Sequence, residues 1–248
     1  MGTLVLNLPR SLERRAWMER QLLSTGLAGE FLNAIDGESL DGGVPSGLSR
    51  LEWACLLTHR AAWQRAAIGA EPTLILEDDV QLTDELPEIL SAIAPQPGPL
   101  GVVLFGHHSS RRGPSRGAYT TFGGLLLPKG HRLGRVVEFA MGAYAYLVSP
   151  PAARALLEFS GAHCLRADWT TGYAPLAGVG LLAVSPPCVV PADLAKQTTI
   201  SDRRAPSSGS LQARDPEGFV SRAWLFMRRL GVWPSAYALH PRVRNHIR

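Results

Sequence analysis

The sequence predicts an α/β fold, a mainly parallel sheet flanked by helices, with a basic amphipathic segment at its C-terminal end. Three observations lead there. Short apolar, β-branched runs alternate with helix-length stretches along most of the chain, the pattern of crossover connections in a parallel sheet. The run Thr73-Leu74-Ile75-Leu76 lacks polar alternation, as a central strand covered on both faces requires, and it stops abruptly in three adjacent carboxylates, Glu77, Asp78 and Asp79. Ser49 and Glu52 form a capping box, serine at the N-cap and glutamate three residues inside, which fixes the start of a helix.

Thr3 to Leu8 reads as the first strand. Pro9-Arg10-Ser11 turns into a helix with Ser11 at its N-cap, and Leu12, Trp17, Leu22 and Leu23 are candidates for its inner face. Gly26 stops this helix. Glu30 to Ala34 is a second short strand ending in the turn signal Ile35-Asp36-Gly37, and a glycine-rich loop follows from Glu38 to Gly47. The helix capped at Ser49 should run to about Ile68, and the strand over 73–76 comes next.

Beyond the acids, a helix is expected around Glu85 to Ile93, then a proline-rich break over Pro95 to Pro99, then a buried strand from Leu100 to Phe105. Gly106 to Gly117 has turn residues and no apolar period, so it reads as a loop at the working edge. Ala143 to Val148 is a strand. Ser149 caps the next helix, which carries Pro150 and Pro151 in its first turn, where missing N–H groups cost little, and runs to about Phe159. A short helical stretch comes after Asp168-Trp169. A strand from Gly180 to Val184 and a break at Pro186-Pro187 follow, and composition turns polar and serine-rich between Thr198 and Asp215. There is no internal repeat.

Length and composition fit one catalytic domain over residues 1–202 plus a basic extension over 203–248: the chain has 248 residues and 46% hydrophobic content, enough for a substantial core. No stretch approaches the roughly 20 uncharged apolar residues of a membrane span. The N-terminus opens directly into a strand pattern, without a basic region and long apolar core, so the expected location is the cytoplasm. Cys55, Cys164 and Cys188 are an odd number at wide spacing, with no C-x-x-C pair and no neighbouring histidine ligand set, and read as buried free thiols. The net charge of +4 is carried almost wholly by arginine, which favours partners bearing phosphate or carboxylate. Nucleic acid is not expected among them, because basic tracts, aromatic RNA-binding patterns and zinc-finger spacings are all missing from the sequence.

The chemistry concentrates at the end of the 73–76 strand. Ligands in open α/β sheets collect at the carboxyl ends of strands. Strand alternation would turn Glu77 and Asp79 the same way and Asp78 the other, and oxygen ligands at that spacing suit Mg²⁺ or Mn²⁺ better than zinc. The plain alternatives are an N-capping acid cluster or carboxylates paired with arginines.

Five motifs occur in one order: Leu6-Asn7-Leu8 with Arg14-Arg15, Phe31 to Gly37 (FLNAIDG), Ala54 to His59 (ACLLTH), Leu76 to Val80 (LEDDV), and Ala143 to Ser149 (AYAYLVS). Together they resemble glycosyltransferase family 25, the lipopolysaccharide and lipooligosaccharide galactosyltransferase-like proteins, over roughly residues 3–202. The resemblance implies a GT-A type nucleotide-sugar-binding fold, a divalent metal (usually Mn²⁺, or Mg²⁺), a UDP-sugar donor, most often UDP-galactose, and a glycan or glycolipid acceptor. Glu77 and Asp79 then fall where the family binds metal, with Asp78 beside them on the donor. Thr58-His59 matches the family's Ser/Thr-His element, so His59 is a candidate donor contact, against the structural role ordinary for a lone helical histidine. Asn7 and Arg14 are further candidate donor contacts, against a strand-to-turn residue and a solvated helix face. Asp36 is a candidate for the uridine ribose or base, against a turn-forming role. The family's base corresponds to Asp168, with Trp169 as an apolar face for a sugar ring; the alternative is an Asp N-cap for residues 169–174. A single base implies one in-line displacement with inversion. The stretch from Pro187 through Lys196-Gln197 to Ser201-Asp202 resembles the family's C-terminal motif.

From Phe219 to Trp233 arginines interrupt bulky apolar residues, which reads either as a segment lying on an anionic membrane surface or as a final helix packed on the core. A metal-dependent phosphohydrolase or nucleotidyltransferase, and a non-catalytic nucleotide-sugar-binding module, are the competing functional readings. A haloacid-type phosphatase would want Asp-x-Asp after its first strand, which Thr3 to Arg10 lacks.

Overall fold

The computed structural model describes residues 1–94, 101–109, 117–118, 120 and 124–193. The break at Pro95–Pro99, the region from Lys196 onward and the whole basic segment lie outside the described residues.

Strand β1 (Gly2–Asn7) leads to helix α1 (Leu12–Thr25) and strand β2 (Glu30–Asn33); helix α2 (Arg50–Ile68) precedes strand β3 (Thr73–Glu77). Short strand β4 (Val80–Leu82) and helix α3 (Leu86–Ile93) follow, then β5 (Val102–Ser109), β6 (Leu125–Leu126), β7 (Arg132–Arg135) and β8 (Ala140–Val148). Helices α4 (Pro150–His163) and α5 (Ala167–Gly172) lead to β9 (Leu181–Ser185) and β10 (Val189–Pro191). Eight strands form one sheet in the order β2-β1-β3-β8-β5-β9-β7-β6, while β10 and β4 pair separately.

The sheet is mixed. β1, β2, β3, β5 and β9 run one way, but β8 is wedged antiparallel between β3 and β5, and β7 lies antiparallel on β9. Buried apolar residues look alike in either strand direction, so this reversal leaves no trace in the sequence pattern. Its consequence is spatial: the beginning of β8 lies at the edge where β1, β3 and β5 end.

Alternate residues of the central strands feed two cores. Leu4, Leu6, Ile75, Leu104 and Tyr146 pack on α2 and α4, and Val5, Leu74, Leu76, Phe105 and Leu147 pack on α1 and α3. On α1 the buried residues are Met18, Gln21 and Leu22, whereas Leu12 and Leu23 are 70% and 84% exposed, contrary to expectation. Positions 18, 21 and 22 share one helical face; position 23 is turned 100° from it. Gln21 is buried because its amide completes a strand edge, accepting from Leu82 N at 2.7 Å and donating to Val80 O at 2.8 Å.

The capping box is formed: Glu52 N donates to Ser49 Oγ at 3.2 Å, and Ser49 N donates to Glu52 Oε2 at 2.9 Å. Ser49→Ala is expected to cost about 1 kcal/mol, read as a few degrees off the melting temperature. An unchanged melting curve would show that α2 is held by packing alone.

Strand β5 continues to Ser109, through the first residues of the expected loop. Gly106 allows this, since a Cβ there would overlap the Tyr144 ring of β8, and the register shifts around it.

Candidate functional site

β3 places Glu77 next to Leu6 of β1, so Asn7 stands beside the residue that follows. Asn7 Nδ2 donates to Asp78 Oδ2 at 2.7 Å, and Arg14, in the first turns of α1, donates to Asp78 Oδ1 at 3.0 Å and Asp79 Oδ2 at 3.2 Å. Asp78 and Asp79 therefore share one arginine, while Glu77 is held elsewhere. The arginine-paired alternative is thus realised at Asp78 and Asp79, and Glu77 still lies close enough to Asp79 to raise its carboxyl. β3 ends at Glu77 and a turn begins, so period-two alternation stops where the expectation relied on it. The next ordered element is β4, not a helix, which removes the capping alternative.

The backbone of this turn is clamped. Trp17 Nε1 and Gln21 Nε2 both donate to Val80 O, and Ala192 N donates to Asp79 O at 2.8 Å. The carboxylates are thus held together despite their repulsion. Burial, reinforced by Glu77 and only partly opposed by Arg14, pushes the Asp79 carboxyl up to about 7.

His59 is buried on α2, with Nε2 3.2 Å from Glu77 Oε1 and Nδ1 2.9 Å from the Tyr146 hydroxyl. Trp63 Nε1 donates to the same hydroxyl at 2.8 Å. An ionised carboxylate only accepts, so a neutral ring facing one donates from Nε2 and accepts the Tyr146 O–H at Nδ1. Trp63, Tyr146, His59 and Glu77 form one hydrogen-bonded file leading to the sheet edge. Thr58 serves the backbone instead. Its Oγ1 donates to Ala54 O and accepts from Ile35 N, each at 2.9 Å, and so fixes the chain after β2.

Two neighbouring pockets meet here. The first is lined by Arg10, Arg14, Asp36, His59 and the three acids, among others. Asp36 pairs with Arg10 and accepts from Glu38 N at 3.0 Å, so its turn-forming role is realised while its side chain still borders the pocket. The second pocket is lined by Glu52, Cys55, Glu77, His108, Tyr144, Arg166 and Asp168, with the adjoining backbone. Glu77 and Cys55 belong to both.

Asp168 lies inside α5, whose N-cap position is Arg166, so it does not act as the N-cap. Burial raises its carboxyl to about 6, against the pull of Arg166. Arg166 is itself fixed by Glu52, Nε to Oε1 2.8 Å, which links the capping box of α2 to the second pocket. Trp169 departs from expectation: it packs edge-on against Phe139 and Tyr173, with centroids 6.2 and 6.4 Å away, and the aromatic ring lining the pocket is that of Tyr144.

Sequence reasoning missed Arg10, Tyr144, His108, Arg166 and Cys55. The first four join the site only through tertiary contacts. Cys55 was visible, because it sits one helical turn before His59, and the expectation of no neighbouring histidine is corrected. Cys188 is buried, while Cys55 and Cys164 are half-buried.

The three acids carry oxygen ligands of the kind a hard divalent cation takes, with Asp78 and Asp79 already engaged by Arg14. Burial first, and then Glu77, raises the Asp79 carboxyl against the pull of Arg14. Among the described residues, no helix is long and apolar enough to cross a membrane.

Residues 1–102 match the family model of glycosyltransferase family 25 (LPS biosynthesis protein). This match supports a glycosyltransferase connected with lipopolysaccharide synthesis. No curated protein matches the chain.

Proposed function

We propose, with the family 25 match over residues 1–102 as premise, that this chain is an inverting, metal-dependent glycosyltransferase of GT-A type. It moves a sugar, galactose in the leading case, from a UDP-sugar to a hydroxyl of a lipopolysaccharide, lipooligosaccharide or related surface glycan. The observation that carries this reading is the shared wall at Glu77: an arginine- and carboxylate-lined pocket adjoins a second pocket containing Asp168.

In this reading the first pocket takes the donor. Arg10 and Arg14 supply positive charge for the diphosphate, Asp36 borders the ribose and base, and Asn7 keeps Asp78 oriented. Glu77 and Asp79 are the residues that would hold Mn²⁺ or Mg²⁺, which when bound neutralises charge on the departing diphosphate. His59 holds Glu77 in place through Nε2–H.

The second pocket takes the acceptor. Asp168 accepts the proton of the attacking hydroxyl, whose oxygen displaces UDP from the opposite face of the sugar, giving inversion in one step. A carboxyl at about 6 is mostly ionised near neutral pH yet more basic than an ordinary aspartate. Tyr144 offers the ring surface expected of Trp169. The anionic membrane partner and peripheral cytoplasmic placement remain proposals for the basic segment.

A donor screen reading nucleoside diphosphate release, with and without Mn²⁺ and with a lipooligosaccharide acceptor, tests this. UDP release that needs both Mn²⁺ and acceptor is the expected result. No binding or turnover with any nucleotide sugar would remove the transferase reading.

A further inference from the structure

The wall between the pockets carries a second group of ligands. Cys55, His59 and Glu77 each offer one ligand atom, and all three atoms lie within 4.8 Å of one another. Cys55 and His59 stand one turn apart on α2, so their side chains share a face, and Glu77 meets them from the end of β3.

We propose that Cys55, His59 and Glu77 form a binding site for a thiophilic divalent cation of the zinc class, distinct in chemistry from the oxygen site of the acids. Sulfur, imidazole nitrogen and one carboxylate oxygen are zinc ligands, and three protein ligands leave the fourth position open, here toward the two pockets. Ligands about 2.0–2.1 Å from a tetrahedral ion sit roughly 3.3 Å apart, and His59 Nε2 and Glu77 Oε1 are already 3.2 Å apart.

The outer shell is also in place. A metal-bound histidine keeps its orientation by donating its other ring N–H to a fixed acceptor. His59 Nδ1 lies 2.9 Å from the Tyr146 hydroxyl, which Trp63 holds. On binding, the Nε2 lone pair goes to the ion, the ring proton resides on Nδ1, and the Tyr146 oxygen accepts it. The Cys55 thiol gives its proton to solvent and its sulfur lone pair to the metal, so each ion bound releases one proton. Burial and then Glu77, Asp168 and Asp79 push that thiol well up in the empty site; the same carboxylates make a field that attracts a dication.

Glu77 is a candidate ligand for both ions, and an oxygen drawn to a zinc-class ion is one that the oxygen site loses. On the transferase reading, zinc-class ions would therefore inhibit by withdrawing Glu77 and narrowing the passage between the pockets; binding itself does not depend on that reading.

Titrating the full chain with Co²⁺ alone separates the two. The expected result is a near-ultraviolet thiolate-to-cobalt absorption saturating at one equivalent, erased by Zn²⁺, lost in Cys55→Ser and retained in Cys164→Ala. Tyr146→Phe should keep the absorption and weaken Zn²⁺ roughly 10-fold or more. Absence of the absorption in the unsubstituted protein, or its persistence in Cys55→Ser, overturns the site. If the absorption is present but Zn²⁺ leaves UDP release unaffected, the site stands and the inhibitory role falls.

Discussion

Asp79→Asn is expected to lower transferase turnover roughly 10³-fold, the upper range for removing one group that stabilises developing charge, while the protein becomes no less stable. The two effects have one origin. Burial and the neighbouring Glu77 and Asp78 raise the Asp79 carboxyl to about 7, above the about 3.9 of an unfolded chain. Below the lower value both states are protonated and Asp79 contributes nothing. As pH rises between the two, the native state binds more protons than the unfolded state, so stability falls, and above about 7 the whole cost is present. Asparagine removes that cost and still accepts from Arg14. Its gain in melting temperature over the parent should therefore be nil well below pH 4, grow towards pH 7 and level off beyond. Unfolding curves across pH, beside UDP release at saturating Mn²⁺, check both halves. A variant that is both inactive and destabilised at alkaline pH would make Asp79 a structural residue instead.

Asp168→Asn should reduce kcat by about 10²–10⁴-fold, the range for losing a general base, with donor binding nearly unchanged because Asp168 belongs to the second pocket. The working form is the carboxylate. Since burial holds the group up to about 6, turnover of the parent should decline below that pH by up to tenfold per unit, and the residual activity of the variant should lack this acid limb. The measurement is a pH series of kcat with UDP affinity determined alongside. A variant keeping its acid limb, or losing less than about threefold in kcat, would move the base elsewhere.

How far the site was legible depended on whether a residue acts on its neighbours in sequence. The Ser49–Glu52 box, the Ser149 cap and the uninterrupted 73–76 strand are local, and all formed where expected. β4, β6, β7 and β10 are short segments that exist only through their partners, and nothing in so few residues marks them. The acids were found because carboxylates after a buried run need an explanation. Which arginine they pair with was not, because Arg14 reaches Asp78 and Asp79 across from α1. Tyr144 was hidden by Trp169, the more conspicuous aromatic. Its pocket position follows from β8 running antiparallel.

The family match ends at residue 102, and the first pocket draws on residues no later than Asp79. That matched stretch is nevertheless not an excisable module, because the outer edge of β3 is hydrogen-bonded by β8. β8 divides its labour along its length. Ala145–Val148 pair with β3, whereas Gly142–Tyr144 line the second pocket. An exchange of acceptor preference between proteins of this architecture would therefore be grafted upstream of Ala145, where side chains can be replaced without moving a β3 partner out of register.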